Sequence, residues 1–92
     1  MSTPMHAVRL KIEGDLVRAL EDARDQLARA DRELVLDFSS VQRMAPSVVG
    51  AMDTLAGAAA EKGVRIELEG VSVEVYRVLK LVKLAPRFSF TN

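Results

Sequence analysis

The 92-residue chain carries thirteen basic and thirteen acidic side chains, and 49% of its residues are apolar. That composition gives one globular domain with one modest core and excludes a disordered chain. Balanced charge leaves no net field for nucleic acid or an anionic membrane surface, and the absence of cysteine excludes disulfides and thiolate chemistry.

The opening residues, MSTPMHAV, lack the basic start and apolar centre of a signal peptide. No apolar run reaches the roughly 18 residues of a membrane span. Residues 1–7 therefore read as a leader and 8–92 as a single domain, cytoplasmic and not inserted in a membrane. The only histidine, His6, falls in the leader without an acidic companion to orient it as a base.

Val8, Leu10 and Ile12 alternate with Arg9, Lys11 and Glu13, the period of a half-exposed strand. Gly14 and Asp15 break it and cap a helix in which Leu16, Leu20, Ala23, Leu27 and Ala30 recur at helical spacing. Its outer side sets Arg18 against Asp22 and Asp25 against Arg29 at i,i+4, a pattern best read as a solvated face. Leu34, Val35 and Leu36 form a continuous apolar run, expected of a central strand covered on both faces.

A second helix begins at Pro46 and Ser47 and stops at Gly63, where a left-handed residue is wanted. Val48, Val49, Met52, Leu55, Ala56 and Ala59 fill its core stripe. The opposite side is Gly50, Ala51, Thr54, Gly57 and Ala58, small and uncharged; from Val48 to Ala60 the only ionisable residue is Asp53. A surface helix normally carries charge there. Glycine inside a helix costs roughly 1 kcal/mol against alanine, so a close approach by something is the reason to expect two of them. In so short a chain little remains to cover this side, and we expect a protein partner on it, reached also by Ser47 and Val48 at the start of the helix.

Val64, Ile66 and Leu68 alternate with Arg65, Glu67 and Glu69 in a third strand with one polar face. Gly70 turns the chain and Ser72 caps a third helix buried through Val75, Val78, Leu79 and Val82 and stopped by Pro86. Phe88 and Phe90 alternate in a short last strand. The order predicts an α/β layer fold with a mostly parallel sheet of about four strands and three main helices.

No nucleophile, base and electrophile come together in this pattern, and no Walker loop, GxGxxG or metal-ligand spacing occurs, so the chain reads as non-enzymatic, without cofactor or metal. Asp37, closing the central strand, is expected to accept hydrogen bonds from the Ser39–Val41 turn. Ser47, in a first helical turn, is a candidate phosphosite, because free N–H groups and the helix dipole favour an anion there. The basic run Arg77, Lys80, Lys83 and Arg87 suits the end of a helix rather than a nucleic acid.

From Ile12 to Phe90 the chain resembles the STAS domain family, the fold of bacterial anti-anti-sigma factors. Asp37-Phe38-Ser39-Ser40-Val41 matches the family's Asp-Leu-Ser segment, and Lys62-Gly63-Val64-Arg65-Ile66 its glycine and following strand. Gly70-Val71-Ser72 through Val75 and Leu79 is similar to its closing helix, which with Val75-Tyr76 and Leu79-Lys80-Leu81 also resembles the STAS subunit of Mla-type phospholipid ABC transporters. The resemblance implies a protein-interaction module. Its first form is an anti-sigma factor antagonist-like regulator of transcription that binds a kinase-like anti-sigma factor; its second is a transporter accessory subunit that binds an ATPase. Where the family has Asp-Ser-Ser-Gly, this chain has Ala45-Pro46-Ser47-Val48, so the usual phosphoacceptor is replaced by proline. Most family members carry a further strand before Val8, and a sheet edge opened by its loss would suit a homodimer. A third reading, from another class, is a small-molecule or nucleotide site built from Asp37, Ser39, Ser40 and Ser47.

Overall fold

Four parallel strands lie in the order of the sequence: β1 (Ala7–Lys11), β2 (Glu33–Asp37), β3 (Arg65–Glu69) and β4 (Ser89–Thr91). Helices α1 (Leu16–Gln26), α2 (Pro46–Lys62) and α3 (Val73–Leu81) connect them, and a single 3-10 turn, Ala85–Arg87, precedes β4. The computed structural model describes residues 7–30 and 32–91, so the leader with His6 lies outside the described residues. The predicted α/β layer fold and parallel sheet are what is found.

Each strand is added beside the last and in the same direction, so right-handed crossovers bring all three helices over one face of the sheet. The register sets Leu10, Leu36, Leu68 and Phe90 in one row on that face. They join Leu20 and Ala23 of α1, Met52 and Leu55 of α2, and Val75 and Leu79 of α3 in one cluster. Full burial of a side chain such as Met52 or Leu55 contributes about 1.5–3 kcal/mol, enough to fix α2 by its inner side alone. The strand order never reverses, and a reversal is where open α/β sheets make the crevice that holds a nucleotide.

Among the described residues no helix layer covers the other sheet face, against the expectation that β2 is covered on both sides. Val35 is nevertheless only 6% exposed, and it stands apart from the main cluster. Its cover is ionic. Arg9 of β1 reaches across β2 to both carboxylate oxygens of Glu69 on β3, the longer contact being 3.1 Å. Arg65 lies 3.4 Å from Glu33, and the Thr91 hydroxyl donates to Glu67. The aliphatic stems of such side chains cover apolar surface while their charged ends stay in water. Glu67 is held above the usual carboxylate range, first by its contact with the Glu33 carboxyl, then by partial burial and the Glu33 charge.

Two expectations about helix ends need correction. Val82 is not part of the buried stripe of α3: it is the C-cap and 43% exposed. Pro86 does not stop that helix either. The stop is made by Lys83, in the left-handed region at φ 64°, which lets the Leu84 N–H return to the Leu79 carbonyl at 2.8 Å; Pro86 sits in the 3-10 turn that follows.

Candidate functional site

The segment from Asp37 to the first turns of α2 is positioned from β2 outward. Asp37 accepts the Ser39 N–H at 2.8 Å, the turn expected for it, and its bonds from Ser39 hold its carboxyl below the usual range. Phe38, fully buried, donates its N–H to the Glu69 carbonyl at 2.8 Å, and Val41 closes the turn on the Phe38 carbonyl at 2.9 Å. On the far side Gly70 is in the left-handed region, and a Cβ there would come within 3.2 Å of Ser39 Cβ, so a glycine is needed for this packing. Ser39 and Ser40 remain exposed.

Residues 42–45 then lead to α2, with a hollow of about 270 Å³ between Gln42, Arg43 and Met44 and the start of α3 at Glu74 and Val75. The N-cap is Ala45, which offers no side-chain hydrogen bond, and Pro46 holds the first turn. Ser47 is exposed in that turn. Gly63 ends the helix at φ 69°, as expected.

The residues expected on the outer side of α2 separate into three groups. Ser47, Gly50 and Thr54 are exposed. Ala51, Gly57 and Ala58 are half-buried, and both alanines pack against the core cluster, so the bare strip is narrower than its sequence implies. Val48 does not belong to it at all. It is 6% exposed, because it precedes Met52 by four residues and Leu55 by seven and so falls on the inward stripe.

Gly50 and Gly57, seven residues apart, lie one above the other near the crest of the strip. A Cβ at either position would meet nothing within 4 Å. Packing inside the chain therefore gives no reason for two residues that together cost the helix roughly 2 kcal/mol.

One functional feature had no signal in the sequence. Asp53, the lone ionisable side chain of the helix between Val48 and Ala60, is matched by Arg87 of the 3-10 turn at 3.0 Å, 34 residues away. The basic run thus does not act wholly at the end of α3; one member spans to α2 and leaves its outer strip close to neutral.

The family model described as "Mlab, STAS domain" matches residues 1–86, nearly the whole chain. The chain belongs to the STAS domain family. No curated protein matches it well enough to serve as a named relative. As a STAS domain the chain is a protein-interaction module in the general sense. Among the described residues no helix is long and apolar enough to cross a membrane.

Proposed function

We propose that this STAS domain is the non-catalytic accessory subunit of an Mla-type phospholipid ABC transporter, working in the cytoplasm and gripping the ATPase subunit with the outer strip of α2. The observation that carries the reading is the pair Gly50 and Gly57, where an added Cβ would meet only open space, on a strip without net charge. A protein surface laid on that strip can approach the helix backbone, and burying the strip leaves no unpaired charge, which is the main cost of a polar interface. The family description supports the transporter form over other STAS roles.

The second reading, an anti-sigma factor antagonist, is favoured by the Asp37-Phe38-Ser39 turn and by an exposed Ser47 in the first turn of α2. It is weakened by Pro46, which stands at the usual phosphoacceptor position and cannot take a phosphate. A degenerate site of this kind leaves binding constitutive with respect to this helix. A phosphate on Ser47 would find free N–H groups, yet would add about two charges to a surface that meets its partner uncharged.

Co-expression with the ATPase subunit of an Mla-type transporter tests the first reading. A stable complex lost in Thr54→Arg supports it. A complex with a kinase-like anti-sigma factor instead, together with stoichiometric phosphate on Ser47 by intact mass and loss of binding in Ser47→Asp, would replace it with the second.

A further inference from the structure

A second surface lies away from the strip on α2, where α3 meets the edge of the sheet. β4 is one of the two outer strands of the sheet: β3 pairs with one of its edges, and among the described residues no strand pairs with the other. Beside it Tyr76 stands edge-on to Phe90, with ring centroids 5.1 Å apart. Tyr76 is 41% exposed and Val73 72%.

Two open hollows share these rings. One of about 440 Å³ runs past Lys80, Lys83 and Pro86, and the other, of about 350 Å³, past Val73 and Thr91. Joined through Tyr76 and Phe90, they make a trough that follows β4 from the 3-10 turn to Thr91. Among the described residues no carboxylate lines it. Its charge is cationic, with the Lys80 ammonium 5.9 Å from the Tyr76 ring centre.

We propose that this trough receives an extended segment of a partner protein, added to the sheet as a fifth strand beside β4, whose trough-facing side chains, every second residue, are apolar beside Tyr76 and Phe90 and acidic at the end toward Lys80 and Lys83. An outer strand presents unpaired N–H and C=O groups that a partner strand satisfies, and alternate side chains of an added strand point to one side, here into the trough. The lysines set the sign of the partner's charge. A second copy of the chain is a poor occupant, because its own β4, Ser89-Phe90-Thr91, carries no carboxylate to meet Lys80 and Lys83. A lipid surface is poorer still, since it leaves the main-chain groups of the edge unsatisfied.

The test uses the full chain and an acetylated, amidated peptide of about six residues, a common strand length, whose alternate, trough-facing positions carry two valines and, at one end, a glutamate, with threonine at the positions between. Its counterpart carries lysine in place of glutamate. The expected result is that the glutamate peptide binds at least tenfold tighter, shifting the amide resonances of Ser89, Phe90 and Thr91 and the ring signals of Tyr76. Lys80→Glu combined with Lys83→Glu should reverse the preference between the peptides while leaving binding through α2 within twofold. Equal binding of both peptides, or shifts confined to α2, would overturn the proposal. So would concentration-dependent dimerisation that occupies β4, or binding to vesicles of anionic phospholipid that the glutamate peptide does not displace.

Discussion

Helices α1 and α2 pack side by side over the same face of the sheet, and their inward sides are alike. Leu20 and Ala23 on α1 are as fully buried as Met52 and Leu55 on α2. Their outward sides are opposite in character. α1 shows Arg18, Glu21, Asp22 and Asp25 to solvent, starts on an Asp15 side chain that accepts the Arg18 N–H at 3.2 Å, and needs nothing else. α2 shows Ser47, Gly50 and Thr54, starts on an uncapped Ala45, and has its one mid-helix charge matched by Arg87. Apolar period on one side is all that the fold demands of a helix. What occupies the other side reflects what that side meets, water for α1 and, in our proposal, a protein for α2.

The largest effects should fall on the sides that do not differ. Leu20→Ala and Leu55→Ala each remove a side chain that is 1% exposed, and each should cost about 2–5 kcal/mol in urea unfolding. A cost below about 1 kcal/mol for Leu55→Ala would mean that α2 is not anchored as described and would end the comparison.

The outward sides are separated by placing the same side chain on both. Thr54→Arg should weaken binding of the ATPase subunit at least a hundredfold, about 2.7 kcal/mol or more, because a long charged side chain on the strip is both a steric and a desolvation penalty. Asp22→Arg should change it less than threefold. Circular dichroism should find both variants folded, since each site is exposed. Equal sensitivity of the two helices would remove the strip as an interface.

Smaller changes at the glycines sharpen the point. Gly50→Ala and Gly57→Ala should each stabilise the free chain by about 0.5–1 kcal/mol, since a Cβ at either site meets only open space. The same substitutions should weaken the complex about tenfold, or roughly 1.4 kcal/mol. Thermal unfolding and calorimetric titration together check this. Stabilised variants that bind as well as the parent would leave the glycines without a close contact to explain them.

Most of the fold was legible because local chemistry determines it. The Asp15 and Ser72 caps, the left-handed Gly63 and the alternation in β1 and β3 all act within a few residues of themselves, and the structure has each of them. What escaped depends on distant partners. Val35 reads as an apolar residue awaiting a second layer, but its cover comes from Arg9 and Glu69, 60 residues apart in sequence. Lys83 ends α3 in a conformation usually left to glycine, so Pro86 drew the prediction instead. On the outer side of α2, Gly50 and Thr54 are exposed as the helical spacing implies, yet Ala51 and Ala58 pack partly against the core, and Val48 is buried. A charge at Ala51 or Ala58 would test folding as much as binding, which is why Thr54 is the better probe.

The last contrast is between two carboxylates, Asp37 at the end of β2 and Glu67 within β3. Asp37 leads into the turn before α2, and bonds from Ser39 hold its folded pKa below the ordinary value. The stability it contributes is therefore fully present above the unfolded pKa of about 3.9 and is lost as pH falls toward the lower folded value. Glu67 behaves in the opposite sense. Its folded pKa lies above the ordinary value because of the neighbouring Glu33 carboxyl. Its neutral form favours folding below the unfolded pKa, and that contribution disappears as pH rises through the raised value. Asp37→Asn should thus flatten the acid limb of the stability curve, and Glu67→Gln should flatten the slope just above the usual carboxylate range and raise stability at neutral pH. Both groups face solvent, so each effect should be small beside those of the core leucines. Resolving the two limbs takes urea unfolding across the acid range together with carboxyl chemical shifts. Because Asp37 holds Ser39 while α1 starts on its own Asp15 cap and α2 on Ala45 and Pro46, amide exchange in the Asp37→Asn variant should rise at Ser39 while both helices stay protected. Loosening of both helices would show that the turn supports the whole domain rather than its own loop.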